Sequence, residues 1–379
     1  MPPPMRILII TELFPDSDLP EVTGGVENRV YYVVKHLRRT RDVTVLAGSP
    51  GGGDHWRPAS VASIPFRLRR MVMLFWQGLR SKFDVVESSI LVVHPVAFLL
   101  GFLKRRPVVF WYPDVLIGHW QSEAFSPLAG RIGELYERLV LKLPVDRYIA
   151  ISESTRDKLI EHGVKPERID IVHCGFDPIV AQEARAEAGV GEPEAPTLVT
   201  ASRLVPYKRV DLVVRALAKL ARDHPTIRLR IVGQGPERER LEALAEELGV
   251  ASNVEFVGYV PVHDDVLKII AKASVFVSAS EIEGFGISVV EAAAVGTPFV
   301  ITDLPVFREV TNDGTGGLLF RLGDADDLAD KVNRLLSDSA LRQQCRDSAA
   351  SLVDSYAWDT LADETGAVYD AVVAARRRS

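Results

Sequence analysis

Two cations on one short loop have types and spacing that suit the binding of an anionic ligand. Arg203 ends a run rich in β-branched residues, and Lys208 follows five positions later, directly before a helical pattern. A guanidinium can bind two phosphate oxygens at once, whereas an ammonium supplies a mobile point charge. Solvated surface loops carry such pairs as well. The pair therefore predicts a diphosphate site with an ordinary charged loop as the alternative.

The segment 278–300 carries a more specific pattern. A predicted strand ends at Ser280, Glu283 precedes the turn Gly284-Phe285-Gly286, and a helix of small residues then carries Glu291. Glycines allow backbone amides at a helix start to approach a ligand, and the helix dipole favours an anion there. A carboxylate can accept hydrogen bonds from vicinal hydroxyls of a sugar. An Ala-rich helix between buried strands offers little surface. A binding role for Glu283 and Glu291 is therefore favoured over the alternative, in which one glutamate caps the helix and the other lies on the surface.

Two other glycine pairs follow predicted strands. Gly24 and Gly25 end the long loop after the first strand and stand before a helix, which suits close approach to an anion or an ordinary flexible turn. The string GQGPER (233–238) lacks the third glycine of the dinucleotide fingerprint, and no acidic residue suited to a ribose ends a strand about 20 residues later. A dinucleotide site is therefore not predicted there.

Short apolar runs alternate with amphipathic helical patterns along the whole chain. The predicted strands are 6–10, 42–48, 83–89, 107–112, 147–152, 169–175, 197–203, 227–233, 253–259, 274–280, 298–303 and 316–320. Continuous apolar runs are typical of strands buried on both faces of a parallel sheet. The first helical pattern predicts one buried face with Val26, Val30, Val33 and Leu37. Its other face, with Arg29, Lys35 and Arg38, is expected to face water.

This alternation predicts an α/β protein with two Rossmann-like, doubly wound parallel-sheet domains that face each other across a cleft. The predicted divisions are a first domain over 1–178, a helical linker region over 179–196, a second domain over 197–355 and a final helix over 356–379. Open α/β sheets bind ligands beyond the carboxyl ends of their strands. The loops that follow strands are therefore the expected location of the site.

Composition excludes several classes of protein. The 379 residues are 47% hydrophobic and 25% charged, as in globular enzymes, and the net charge of −6 gives no reason to expect nucleic acid as a partner. Cys174 and Cys345 lie far apart and fit a reducing cytoplasm rather than a disulfide framework. The N-terminus lacks the apolar core of a signal peptide, and the longest uncharged run, 88–103, is too short to span a membrane.

The chain resembles the family 4 retaining glycosyltransferases of the GT-B fold over nearly its whole length. The matching pieces, in order, are GGVE (24–27), SRLVPYK (202–208), LRIVGQGP (229–236), VEFVGYV (254–260), EGFGISVVEAAAVGTPFV (283–300) and FREVTNDGTGGLLF (307–320). The fifth piece holds the Glu-x7-Glu pattern of the family. The order and spacing of these pieces carry the resemblance.

The resemblance implies a role for each matching residue. Arg203 and Lys208 would bind the diphosphate of a nucleoside diphosphate sugar. Glu283 and the amides of Gly284, Phe285 and Gly286 would hold the hydroxyls of the sugar. Glu291 would hydrogen-bond the ribose, and Gly24 and Gly25 would approach the phosphates and the acceptor from the first domain. The final helix would cross back onto that domain.

One stretch departs from the family pattern. Many members carry a histidine followed by an aspartate at the end of the fourth strand; here Asp114 matches, but Tyr112 or Pro113 stands in place of the histidine. His119 lies five residues after Asp114 and is a candidate for contact with the sugar or the acceptor, although a histidine beside Trp120 is more often packed. This departure leaves the transferred sugar undetermined.

No cofactor and no metal is predicted. The strings DSD (16–18) and DAD (324–326) resemble the metal motif of another glycosyltransferase fold, but neither follows a strand as that motif does. The preferred function is retaining transfer of a sugar to a glycan, a lipid-linked acceptor or a small molecule. The alternatives are a nucleotide-sugar epimerase, a sugar phosphorylase, or a non-catalytic relative that only binds nucleotide sugar.

A peripheral contact with an anionic membrane at the cytoplasmic face is also predicted. The first 180 residues hold 23 basic and 20 acidic side chains, against 22 and 31 in the remainder. Within that more basic part, residues 66–83 alternate Arg and Lys with Leu, Met, Phe and Trp, as in helices that lie on anionic lipid. A helix packed on its own sheet with basic ends is the alternative.

Overall fold

The computed structural model describes residues 4–15, 25–51, 64–120, 127–189 and 195–378. The chain divides into two compact units. Residues 1–174 and 358–379 form the first unit, and residues 175–357 form the second.

The first unit alternates strands and helices in the order that the sequence predicts. Its elements are β1 (Arg6–Pro15), α1 (Gly25–Leu37), β2 (Asp42–Gly51), α2 (Ile64–Arg80), β3 (Val85–Ser88), α3 (His94–Lys104), β4 (Val108–Tyr112), α4 (Pro127–Val140), β5 (Arg147–Ala150), α5 (Glu153–Glu161) and β6 (Ile169–Ile171), with the last helix of the chain, Trp358–Arg378, added from the far end of the sequence.

The second unit repeats this alternation. Its elements are α6 (Pro178–Ala188), β7 (Thr197–Ala201), α7 (Val210–Asp223), β8 (Arg228–Val232), α8 (Arg238–Glu247), β9 (Val254–Gly258), α9 (His263–Ala271), β10 (Val275–Ser278), α10 (Ile287–Ala294), β11 (Phe299–Thr302), α11 (Pro305–Val310), β12 (Gly317–Phe320), α12 (Ala325–Ser337) and α13 (Ser339–Val353). The final helix of the first unit is therefore α14.

Each unit is built on a six-stranded parallel sheet. The strand orders are β2-β1-β3-β4-β5-β6 and β12-β11-β10-β7-β8-β9. The predicted class of fold, two Rossmann-like units with parallel sheets, is confirmed, and each of the twelve predicted strands has its counterpart. Four consecutive residues of β1, from Ile7 to Ile10, are at most 1% exposed, because helices cover both faces of the sheet.

Helices α2, α3, α4 and α5 cover one face of the first sheet. Leu74, Leu100, Val140 and Leu159 from these four helices share one hydrophobic cluster with Val86 of β3. Because neighbouring residues of a strand point to opposite faces, Glu87 faces away from that cluster. It meets α14, whose Tyr369 hydroxyl donates a hydrogen bond to the Glu87 carboxylate.

One expectation for α1 is wrong. Val30, Val33 and Leu37 are buried as predicted and Val26 is half-buried, but Arg29 is only 2% exposed instead of facing water. Its guanidinium donates to the Glu87 carboxylate through both Nη atoms, with Nη2 and Oε2 2.9 Å apart, and lies 4.9 Å from the centre of the Trp111 ring. A buried guanidinium is tolerated because a carboxylate and an aromatic face replace its water.

Candidate active site

The strand order of the second sheet places the predicted donor residues at one point. The chain runs from β7 to β8 on one side, and β10 lies on the other side of β7, so the direction of winding reverses between β7 and β10. Ligands of doubly wound sheets bind beyond the carboxyl ends of the strands at such a reversal. Arg203 and Lys208 follow β7, and Glu283 follows β10.

The structure brings Lys208 and Glu283 into direct contact. Lys208 Nζ lies 2.5 Å from Glu283 Oε1, and the two side chains are 14% and 13% exposed. Ser280 Oγ donates a second hydrogen bond to the same carboxylate oxygen over 3.2 Å. The cation predicted to bind phosphate and the carboxylate predicted to bind sugar hydroxyls are therefore neighbours, although 75 residues separate them in the sequence.

Arg203 is held on the same loop by its neighbours. It is exposed, and its guanidinium donates a hydrogen bond to the Tyr207 hydroxyl. A short 3-10 helix, Pro206–Lys208, follows, and the backbone amide of Glu281 donates to the Tyr207 carbonyl over 2.8 Å. This backbone contact fixes the loop after β7 against the loop after β10.

The glycines of the GQGP string support this loop. A Cβ atom on Gly233 would lie 2.0 Å from the Ser202 carbonyl oxygen, and one on Gly235 would lie 2.2 Å from the Leu204 carbonyl oxygen. The Leu204 amide donates to the Gln234 carbonyl over 3.0 Å. The string therefore allows two loops to pack backbone to backbone, and this contact positions Arg203.

The turn Gly284-Phe285-Gly286 opens α10 without a side-chain cap. Gly286 has φ +88° and is the residue that precedes the helix. Phe285 is buried against the ring of Tyr356, with ring centres 5.6 Å apart. Because Gly286 has no side chain to satisfy the first amides of α10, this helix start is suited to an anion or to ligand hydroxyl oxygens.

Glu291 lies on the second turn of α10 and is paired with a residue that the sequence reasoning missed. Its Oε1 is 2.8 Å from His263 Nε2, and Glu291 is 3% exposed. Burial lowers the pKa of His263, but the charge of Glu291 and the hydrogen bond outweigh that effect and leave the pKa raised. His263 is the first residue of α9 and follows β9. Its position beyond the end of a strand is the sequence feature that could have marked it as a candidate site residue. Glu283 and Glu291 thus have different partners.

In the first unit, Gly25 is the first residue of α1, and Gly24 lies outside the described residues. Asp114 follows β4, where its Oδ1 lies 2.6 Å from Lys158 Nζ and accepts a hydrogen bond from the Val115 amide over 2.8 Å. His119 is exposed and lines a pocket of about 350 Å³ together with Val115, Ile117, Gly118, Arg138, Lys158, Glu161 and His162. Asp114 and His119 therefore flank one loop of this unit.

Tyr112 points into the core of the first unit. It is 1% exposed, and its ring centre lies 5.0 Å from that of His94, which stacks on Phe110. Burial lowers the pKa of His94 to about 3, and its Nδ1 lies 2.6 Å from Ser88 Oγ. Because the Tyr112 side chain is enclosed in the core, it cannot contact a ligand in place of the histidine of the family pattern.

Glu137 on α4 holds the loop that carries Asp114 and His119. Its carboxylate accepts hydrogen bonds from the Leu116 amide over 3.2 Å and from the Trp120 indole nitrogen over 2.7 Å. The Trp120 ring lies against Gly133, where a Cβ atom would approach it to 2.5 Å. Burial raises the pKa of Glu137 to about 7. The loop position therefore depends on a carboxyl group that titrates near neutrality.

We expect Glu137→Gln to remove part of the pH dependence of stability. The folded state keeps a proton on Glu137 that the unfolded chain releases above about pH 4.5, so the free energy of unfolding falls as pH rises towards about 7. The wild type should lose up to about 3 kcal/mol through this group across that window, and Glu137→Gln should not. Urea unfolding at pH 5, 6, 7 and 8 measures the difference between the two proteins.

Glu134→Gln is the matched control for this experiment. Glu134 lies one turn earlier on α4, and the hydrogen bond from Arg138 lowers its pKa. This variant should keep the wild-type dependence between pH 5 and 8. An unchanged slope in Glu137→Gln would mean that Glu137 stays ionised while it holds the loop.

The acidic string DAD is engaged in capping a helix. Asp324 of DAD caps α12, and its Oδ1 accepts from the amides of Asp326 and Asp327 over 3.0 and 2.9 Å. The string DSD lies outside the described residues. Within the described ranges, no group of three or more His, Cys, Asp and Glu residues is placed to hold a metal ion.

Comparisons with known proteins decide the family. The model described as Glycosyltransferase Family 4 matches residues 23–179, and the model described as Glycosyl transferases group 1 matches residues 182–352. The D-inositol 3-phosphate glycosyltransferase of Streptomyces bingchenggensis is 33% identical over 328 residues, which cover 81% of this chain and 71% of that protein. The chain belongs to glycosyltransferase family 4.

Solved structures agree with the fold of this family 4 glycosyltransferase. Sucrose-phosphate synthase from Thermosynechococcus elongatus superposes with a TM-score of 0.79 at 20% identity, covering 98% of this chain and 100% of that one. HepE from Anabaena, solved in complex with UDP-glucose, gives a TM-score of 0.74 at 20% identity, covering 97% of this chain and 100% of that one. Both likenesses support two Rossmann-like units of the GT-B type.

Proposed function

We propose that this glycosyltransferase moves a sugar from a nucleoside diphosphate sugar to an acceptor with retention at the anomeric carbon. The contact between Lys208 and Glu283 at the reversal point of the second sheet carries the proposal. A cation for phosphate and a carboxylate for hydroxyls, side by side, suit a ligand that joins a diphosphate to a sugar. The UDP-glucose in the Anabaena HepE complex is a ligand of this kind.

Each residue has a proposed role in binding the donor. Arg203 and Lys208 bind the diphosphate, and Glu283 with the amides of the Gly284–Gly286 turn binds the sugar hydroxyls. Glu291 binds the ribose, and its contact with His263 holds its carboxylate in place before the donor arrives. Lys208 exchanges part of its contact with Glu283 for phosphate oxygens when the donor binds.

The same groups stabilise the departing diphosphate. As the glycosidic bond breaks, the sugar gains oxocarbenium character and negative charge builds on the phosphate oxygens. Preplaced cations and amides act where this charge develops, which is typically the largest contribution to catalysis. A leaving phosphate oxygen takes the proton of the acceptor hydroxyl on the same face of the sugar, and no protein nucleophile is assigned. Because two cations serve the diphosphate, we propose that no metal is required.

The acceptor is a glycan, a lipid-linked molecule or a small molecule, and the enzyme works in the cytoplasm. We propose that α2, with Arg69 and Arg80 exposed beside apolar side chains, makes a peripheral contact with an anionic membrane. No helix within the described residues combines the length and the apolar character that crossing a bilayer requires.

The proposed function is tested in two steps. A thermal-shift screen over UDP, GDP, ADP and their sugars should raise the Tm for one nucleotide family. The sugar donor from that family is then incubated with candidate acceptors, and NMR should show a product with the anomeric configuration of the donor. Epimer formed without an acceptor, phosphate-dependent release of sugar phosphate, or nucleotide binding without turnover would each replace transfer by one of the alternative activities.

A chelator arm of the same assay tests the metal proposal. With Arg203 and Lys208 on the diphosphate, the transfer rate should be unchanged in excess EDTA. Loss of transfer in EDTA and recovery with Mn²⁺ would contradict the assignment of charge neutralisation to these two side chains.

A further inference from the structure

The outer surface of three neighbouring helices in the first unit exposes apolar side chains. Among the described residues, fourteen large apolar side chains are exposed, and eleven of them belong to α2, α3 and α4. The eleven are Leu68, Val72, Met73, Trp76, Leu99, Phe102, Leu103, Leu128, Ile132, Leu135 and Leu139. We call this set the apolar face. Isolated exposed apolar residues are ordinary, but a concentration of this kind marks an interaction surface.

The three helices present the apolar face in the same direction. Their inner residues Leu74, Leu100 and Val140 belong to one core cluster against the first sheet, so their outer sides point away from that sheet. α2 and α3 also pack against each other. On α4 the exposed stripe follows helical spacing, from Leu128 to Leu139, opposite the buried Val140 and Glu137.

The charges along α2 and α3 are basic, whereas α4 carries two basic and two acidic side chains. Residues 64–106 contain eight Lys and Arg side chains against two acidic ones. Both acidic residues are engaged: Asp84 binds Arg6 over 2.9 Å, and Glu87 is buried with Arg29. The exposed cations Arg69, Arg80, Lys82 and Arg105 therefore have little negative charge near them in sequence, whereas Arg106 lies 3.7 Å from the Asp84 carboxylate. An apolar surface bordered by cations complements anionic lipid headgroups above acyl chains.

We infer that the apolar face docks on an anionic lipid bilayer, with α2, α3 and α4 lying along the headgroup boundary. The inference rests on the membrane contact proposed for α2 and adds α3 and α4 to it. Exposed Phe, Trp and Leu side chains enter the boundary, while the arginines and lysines bind lipid phosphates. A bilayer in this position lies against the outer side of α4, whose inner side holds the Asp114 loop through Glu137.

Co-sedimentation of the full chain with vesicles tests the inference. One set of vesicles contains phosphatidylcholine alone. In the other set, about one lipid in three is phosphatidylglycerol. The wild type should bind the anionic vesicles at least about tenfold more strongly than the neutral ones. Ile132→Ser with Leu135→Ser on α4, and Leu99→Ser with Phe102→Ser on α3, should each weaken that binding by about tenfold or more.

Ile179→Ser with Leu322→Ser is the matched control. These two residues are also exposed and apolar, 67% and 53%, but they belong to the second unit. The control should bind like the wild type, and every variant should keep its Tm, because the replaced side chains are exposed. A Trp76→Ser variant reports on the α2 contact alone.

The outcomes separate the inference from the proposals on which it rests. If Trp76→Ser loses binding and the α3 and α4 variants do not, the α2 contact stands and the larger face is wrong. If the wild type binds no vesicle, or binds neutral and anionic vesicles equally, both membrane proposals fail. Sugar transfer is assayed without vesicles and decides the proposed reaction independently. If the apolar variants dissociate a dimer in sedimentation analysis and leave vesicle binding unchanged, the face joins two copies of the chain.

Discussion

Replacing Arg203 or Lys208 by alanine is expected to lower kcat/KM for sugar transfer by about ten- to a few-hundredfold, with kcat falling as well. Each cation contributes a charge-assisted hydrogen bond of roughly 1.5–3 kcal/mol, and more of it is realised as the diphosphate gains charge. Lys208→Arg should restore only part of the activity, because the planar guanidinium of arginine donates in a fixed geometry, whereas the ammonium of lysine is a compact charge. Since both side chains serve one leaving group, the double variant should be non-additive.

The structure separates the two variants by stability. Arg203 is exposed, so its loss should leave the free energy of unfolding almost unchanged. Lys208 and Glu283 are mostly buried and paired, so Lys208→Ala should cost about 1–3 kcal/mol, more than expected for a loop cation. Adding Glu283→Gln to Lys208→Ala should recover stability and not activity, because it removes the uncompensated carboxylate but restores no phosphate contact.

Steady-state kinetics and urea unfolding measure these effects, with Arg215→Ala as the control. Arg215 is an exposed cation on α7 in the same unit, and its removal should change neither quantity. If Arg203→Ala and Lys208→Ala kept wild-type turnover but unfolded several degrees earlier, these residues would be structural. The donor site would then have to be assigned to another part of the chain.

Gly233→Ala is expected to be the most damaging small substitution in the loops around the site. Gly233 has φ +121°, and an added Cβ would lie 2.0 Å from the Ser202 carbonyl oxygen, a backbone atom that cannot turn aside. The conformational cost and the overlap together should lower the free energy of unfolding by about 3 kcal/mol or more. Displacing the Ser202–Leu204 backbone moves Arg203, so transfer should also fall by on the order of a hundredfold.

Gly249→Ala isolates the conformational part of this effect. Gly249 also has positive φ, +71°, but a Cβ atom there would have nothing within 4 Å. Its replacement should cost only about 1 kcal/mol and leave transfer unchanged. Urea unfolding and kinetics at a temperature where all three proteins are folded make the comparison. Equal effects of the two substitutions would show that packing of the GQGP string does not position the Arg203 loop.

The sequence by itself determined the strands, the class of fold and the matching motifs. Continuous apolar runs such as the one in β1 occur where both faces of a strand are covered, and this signal is local. Loops that follow strands could therefore be picked out as candidate sites before any contact was known. The order of the motifs, from Gly24-Gly25 to the last strand, was likewise sufficient to identify the family.

Only the tertiary structure decided which of these residues meet. Lys208 and Glu283 contact each other because β7 and β10 are neighbours, and that order depends on how the chain crosses the sheet rather than on local pattern. Arg29 was expected to face water because a helical pattern assigns charge to the outer side. Its burial requires Glu87 from β3 and the ring of Trp111 from β4, which helical periodicity cannot supply. His263 became part of the site for the same reason, since its partner Glu291 lies on a helix 28 residues later in the chain.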